Sequence, residues 1–267
     1  MPIKVTDTHH LRAYALQLLL EPNFHVKGAQ LEALNIASLT LDMDAAMEEP
    51  QGLPGRPTHP ELVQPSALNQ RSVGSTQGHT SLIHALTHIE ANAINLALDM
   101  VWRFAGQGPD FYQQWMQVAR EEALHFRLLA QHLGTLGMRY GDLCAHNGLW
   151  DMAERTKSDL LARLALVPRT LEARGLDVTP SIRKKLVSIG DQDGAKILDI
   201  ILRDEIGHVA VGNHWYRQVC QSRGLDPVAA YADLAHTYKA PTLKGPFNLS
   251  ARRQAGFDEV ELKALGA

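Results

Sequence analysis

Between Ser75 and Leu136 apolar residues recur every three or four positions, and the run is broken only at Gly106-Gln107-Gly108-Pro109. A segment so patterned forms two long amphipathic helices, 75–104 and 110–136, and so short a connection makes them an antiparallel hairpin. Gly137 closes the second of them. Further on, 151–174 and 193–222 carry the same period. The third helix contains Pro168 and is expected to end at Gly175, with a short segment after Thr179-Pro180. Alternating runs of Val, Ile, Thr and Tyr are missing, so the expected class is all-α. The stretch 137–150, GMRYGDLCAHNGLW, reads as a loop long enough to cross the length of a bundle. Two helical hairpins joined by one long crossover give a four-helix bundle of the ferritin-like connection type.

The ends are different. Residues 7–20 predict a first helix, with Asp7 as its N-cap and Glu21-Pro22 as its stop. A second helix is expected within 28–47. The stretch 50–65 holds five prolines and two glycines and must be irregular. After the fourth bundle helix come a helix near 226–239 and an extended or looped tail through KAPTLKGPFNLSARRQAGF. The expected organisation is N-terminal helices and linker over 1–56, a four-helix bundle over 57–225, and a C-terminal helix and arm over 226–267.

With 267 residues and 45% apolar content the chain can bury a sizeable core. Its net charge of −3 supplies no global basic field for nucleic acid. Two cysteines, Cys144 and Cys220, build no disulfide framework and fit a reducing compartment. No apolar run reaches a membrane span, and the opening MPIKVTDTHH lacks the regions of a signal peptide. A cytoplasmic protein is expected.

Chemistry concentrates in two Glu-x-x-His motifs, Glu122-Ala-Leu-His125 and Glu205-Ile-Gly-His208. Residues three apart on a helix share a face, so each motif presents a carboxylate and an imidazole together. Two such motifs arise readily by chance, and placement is what distinguishes them. Glu122 and His125 fall on a stripe with Phe111, Trp115, Val118, Leu129 and Leu136. Glu205 and His208 fall on one with Leu198, Ile201, Trp215 and Val219. A buried carboxylate needs a partner or a cation. Glu90 lies among Ile83, Leu86 and Ile94 on the first helix, and Glu172 lies on the third. Glu90 precedes Glu122 by 32 residues and Glu172 precedes Glu205 by 33, the near-equality that two hairpins packed about a pseudo-twofold would require. Glu172 sits between Pro168 and Gly175 in what reads as a short terminal turn, so Glu154 is its rival on the same helix. Four carboxylates and two imidazoles can hold and bridge two divalent ions and suit iron, manganese or zinc.

The set Glu90, Glu122, His125, Glu172, Glu205 and His208 resembles that of the ferritin-like di-iron carboxylate superfamily. The stretches GHTSLIHALTHIEANAINLALDM, REEALHF, LVPRTLEARGLDVTP, LRDEIGHVAVGNHW and KGPFNLSARRQAGF resemble a bacterial ferritin-like family labelled a domain of unknown function, similar in architecture to the tRNA-modifying di-iron hydroxylases. The resemblance spans roughly 57–257. It implies a centre of two iron ions, with manganese or a mixed pair as alternatives, and an oxygen-activating oxidoreductase of the hydroxylase type. Its partners would be dioxygen, a small-molecule substrate and an electron-donor protein, in an oligomer or a monomer. The alternatives are a non-enzymatic iron- or metal-binding protein and a tRNA-modifying hydroxylase, which the net charge disfavours.

Other residues have plainer readings. His84 and His88 have metal-like i, i+4 spacing, but His88 lies about 200° around the helix from Glu90, so a surface or interhelix role is expected. Asp199 and Asp204 could orient a ligating imidazole, though ordinary charge pairing is the commoner fate. Trp115 and Trp215 are expected in the core. Arg252, Arg253, Lys239 and Lys244 form a basic cluster for which solvated or interdomain roles outweigh anion binding. Neither a phosphate loop nor a nucleophilic triad is found.

Overall fold

The computed structural model describes residues 9–265 except 42, 46 and 69–71. Among these the regular structure is helical, with two isolated β-bridges, His10 to Thr40 and Leu62 to Ala145. No helix is long and apolar enough to cross a membrane. The chain divides into two compact units, 1–147 and 148–267, a boundary that falls inside the stretch 57–225 read above as one bundle.

In the first unit, α1 (Leu11–Leu20) and α2 (Phe24–Ala33) precede the long hairpin of α3 (Thr76–Arg103) and α4 (Pro109–Thr135). The hairpin is antiparallel: His79, near the start of α3, faces His132, near the end of α4, and at the other end Tyr112 Oη donates to the Phe104 carbonyl at 3.0 Å. Ser75 caps α3 by accepting from Gly78 N, and Pro109 occupies the first turn of α4, where its missing N–H costs nothing. Ala91, Ala93 and Ala97 are buried along α3 beside Ile94, and the alanines let helices approach closely. Helix α2 packs on α4 through Phe24 and Phe126, with ring centroids 5.4 Å apart. Buried Arg12 secures α1 by donating to the carbonyls of Trp102 and Ala45 at 2.7 and 2.8 Å. The proline-rich stretch is irregular as expected. It docks where Gly55 N donates to Leu19 O, so closely that a β-carbon at Gly55 would fall 1.9 Å from the Leu20 carbonyl oxygen.

Two N-terminal expectations are corrected. α1 starts at Leu11, after an extended His10; the Asp7 cap lies outside the described residues. The second helix is Phe24–Ala33 rather than a segment of 28–47, because Asn23 accepts from the amides of His25 and Val26 and starts it earlier.

The second unit holds α5 (Gly148–Arg155), α6 (Leu160–Leu166), a π-helical turn (Val167–Glu172), α7 (Ala173–Ser188), α8 (Gln192–Ser222), α9 (Pro227–Thr237), α10 (Leu249–Gln254) and α11 (Glu259–Leu265). The expected single helix 151–174 is thus two helices and a π turn, and the chain continues helical through Gly175 and Pro180 to Ser188. Buried Arg163 fixes the α5–α6 corner, donating to Thr156 Oγ1 at 3.0 Å and to the Ala153 carbonyl at 2.6 Å. The π turn begins where Pro168 removes a helical N–H, and Thr170 Oγ1 donates back to the Ala165 carbonyl, five residues earlier, at 2.8 Å. The tail is not merely extended. Asn248 caps α10, which places Arg252 in a two-pronged pair with Asp177 of α7 at 3.0 and 2.7 Å, both side chains fully buried. Ala251, Ala255, Phe257 and Leu262 then pack with Ala173, Leu176 and Val209.

Candidate metal centre

Glu90 comes from the middle of α3, and Glu122 and His125 from one face of α4. All three are buried, at 4%, 1% and 0% exposure. His125 Nδ1 lies 3.3 Å from Glu90 Oε2 and 3.3 Å from Glu122 Oε2. The three ligand atoms lie within 4.8 Å of one another. The antiparallel hairpin creates this meeting: residues 32 apart on facing helices end at one level.

The donor set fits a metal ion. Around an ion with bonds of about 2.1 Å, neighbouring nitrogen and oxygen ligands lie about 3.0 Å apart at octahedral angles and about 3.4 Å apart at tetrahedral ones. The two 3.3 Å separations fall in that interval. Charge points the same way. Two buried carboxylates beside one imidazole make a site whose ionised form a cation would stabilise.

In the second unit Glu205 and His208 lie on the buried face of α8, at 8% and 1% exposure, with Glu205 Oε1 3.7 Å from His208 Nδ1. Glu172, the last residue of the π turn, is half-buried and, among the described residues, forms no three-ligand group with Glu205 and His208. It is not in a terminal turn, as the sequence suggested, but in the middle of a long helical run. A π turn carries an extra residue, which rotates the succeeding side chains by about 100° relative to an α-helix. Its rival Glu154 lies on α5, where Oε1 accepts from Trp150 Nε1 at 3.1 Å and Oε2 pairs with Lys157 at 3.3 Å.

The buried face of α8 runs Leu198, Ile201, Glu205, His208, Gly212, Tyr216 and Cys220, so Trp215 and Val219 are only half-buried. At about 100° per residue Trp215 falls about 20° short of His208, which is itself at the edge of this buried face, so the indole lies just outside it. Trp115 is buried as expected. Asp199 pairs with Arg183 at the surface, with oxygens at 2.5 and 2.8 Å, and Asp204 binds Arg203 at 2.8 Å. Of the basic cluster, Arg252 is committed internally and Arg253 pairs with Glu259 at 2.6 Å.

His84 and His88 are buried rather than superficial, packed against Tyr140 in the loop that follows α4. Burial lowers both pKa values, that of His88 to about 4. His84 Nε2 accepts from Gly141 N at 3.0 Å. Lys27 went unremarked in the sequence. It is fully buried, donates to Asn95 Oδ1 and lies 4.8 Å over the Phe24 ring. Burial lowers its pKa to about 7. Position 27 is flanked by Val26 and Gly28, so nothing local marked it as buried.

Residues 15–263 match the family described as "Protein of unknown function (DUF455)". The chain belongs to this family. An uncharacterised protein of Haemophilus influenzae (strain ATCC 51907 / DSM 11121 / KW20 / Rd) is 49% identical over 213 residues, covering 77% of this chain and 74% of that protein. No solved structure matches the chain.

Proposed function

We propose that this chain is a ferritin-like di-metal carboxylate protein. In this reading Glu90, Glu122, His125, Glu172, Glu205 and His208 hold two iron ions, or manganese in their place, and the protein oxidises a small-molecule substrate with dioxygen. The observation that carries the reading is the convergence of two buried carboxylates, from two helices, on one buried imidazole nitrogen. The second Glu-x-x-His, buried on α8, supplies the matching half of the donor set. A pair of such ions provides Lewis acidity and one-electron redox chemistry. The carboxylates would neutralise the ions, the imidazoles would complete their coordination, and the apolar residues beside each motif on α4 and α8 would limit the access of water. Hydroxylation is the reaction type that the family resemblance favours.

The test is elemental analysis of the full chain purified without chelator, alongside Glu122→Ala and Glu205→Ala. About two equivalents of iron or manganese are expected in the parent. Loss of both ions in either single variant would support one shared centre. Loss of one ion per variant would indicate two separate mononuclear sites. Bulk iron uptake would favour storage. Absence of metal after aerobic iron reconstitution would overturn the reading.

A further inference from the structure

A cavity of about 300 Å³ opens in the first unit, on another side of α3 from Glu90. Its wall includes His88, Asn92 and Asn95 of α3, with Arg56 of the proline-rich stretch and Tyr140 of the loop after α4. At 100° per residue, His88 and Asn92 point about 160° away from Glu90 and Asn95 about 140° away. The cavity is therefore distinct from the candidate metal centre.

Two amides of the wall have set orientations. His88 Nε2 lies 3.0 Å from the His146 carbonyl and 3.0 Å from Asn92 Nδ2, and Nδ1 lies 3.0 Å from Tyr140 Oη, a hydroxyl that can accept as well as donate. Asn92 Nδ2 donates to the His88 carbonyl at 2.9 Å, so its Oδ1 is the acceptor end. Asn95 is set the other way, because its Oδ1 accepts from Lys27 and its Nδ2 is left as a donor. Lys27 stands directly behind this wall, in contact with two of its members, Asn95 and Phe24. Arg56 is close enough to act electrostatically on Lys27, His88 and Tyr140. The wall thus carries cationic and donating groups, Arg56 and Asn95 Nδ2, and accepting ones, Asn92 Oδ1, Tyr140 Oη and the Glu61 carboxylate. Pockets with a few convergent polar groups on an apolar lining take small ligands.

We propose that this cavity binds a small organic acid that also carries an N–H or O–H donor, an amino or hydroxy carboxylate. The carboxylate meets Arg56 and Asn95 Nδ2, and the donor meets Asn92 Oδ1 and Tyr140 Oη. Arginine suits the first role because its fork matches a carboxylate in two hydrogen bonds.

The test uses the full chain with the common L-amino acids and short 2-hydroxy acids, each at about 10 mM, and acetate as reference, read by saturation-transfer NMR and titration. At least one amino or hydroxy acid should bind about tenfold or more tightly than acetate. Arg56→Ala should remove that binding, and Asn92→Leu should reduce it to the acetate level. Glu122→Ala should leave it unchanged, which separates this cavity from the metal centre. Should Arg56→Ala fail to fold, Asn92→Leu and Arg56→Lys decide. Binding no tighter than acetate across the panel, or binding retained in folded Arg56→Ala, would overturn the proposal, and loss in Glu122→Ala would assign the acid to the metal centre instead. Amino acids alone responding would identify the donor as ammonium, and hydroxy acids alone would identify it as hydroxyl.

Discussion

Lys27 shows what burial does to a single residue. Its ammonium is removed from water, with an amide oxygen and an aromatic face as near neighbours. Burial lowers its pKa to about 7, Arg56 pushes the same way, and Glu21 opposes both. An unfolded lysine holds its proton to about pH 10.4. Between those values the unfolded chain binds more protons than the folded one, so stability rises with pH, by at most about 1.4 kcal/mol per unit. Below pH 7 both states are protonated and the slope vanishes. Urea unfolding at mildly alkaline pH values should show this rise in the parent and a flatter profile in Lys27→Met; equal slopes would refute the assignment. The proposed ligand residues contrast with Lys27. Glu122 and His125 were legible because their own helix announced its buried face. Lys27 was not, because what covers it comes from α3 and from the chain between α1 and α3.

At the scale of elements, the π turn decides most. A proline in a helical stretch predicted a break or a kink, and the sequence placed the end of the helix soon after it. Instead the helix absorbs Pro168 by one extra residue and continues through Pro180. Gly212 of α8 packs on that turn. A β-carbon there would lie 2.6 Å from Pro168 Cβ and 2.8 Å from its Cγ. Gly212→Ala should therefore cost about 1–3 kcal/mol through overpacking. It should also lower metal content, because the π turn that must move carries Glu172. Thermal denaturation and elemental analysis check the two effects, and an unperturbed variant would show that the turn yields freely. Helices α3, α4 and α8 lie within a residue or so of their expected limits, because each has a sustained apolar period and a recognisable capping residue or breaker. The short helices α10 and α11 lacked that length. They exist because Asp177 and Arg169 anchor Arg252 and Glu261.

For the molecule as a whole, metal held by the proposed ligands Glu90, Glu122 and His125 should stabilise the first unit, in which all three lie. Calorimetry of the metal-loaded chain is expected to show a transition that chelation lowers by several degrees, since a ligand that binds only the folded state stabilises by mass action. A profile indifferent to chelation would argue against metal at these residues. The sequence by itself determined the helical class, the long hairpin and the candidate donor residues, because periodicity, breakers and motif spacing are local properties of the chain. Tertiary structure decided which carboxylates meet which imidazole, the orientation of the amides in the cavity wall, the burial of Lys27 and the anchoring of the C-terminal helices. Each of these depends on groups far apart in the chain, whose meeting is fixed by packing and by the need to satisfy buried charge.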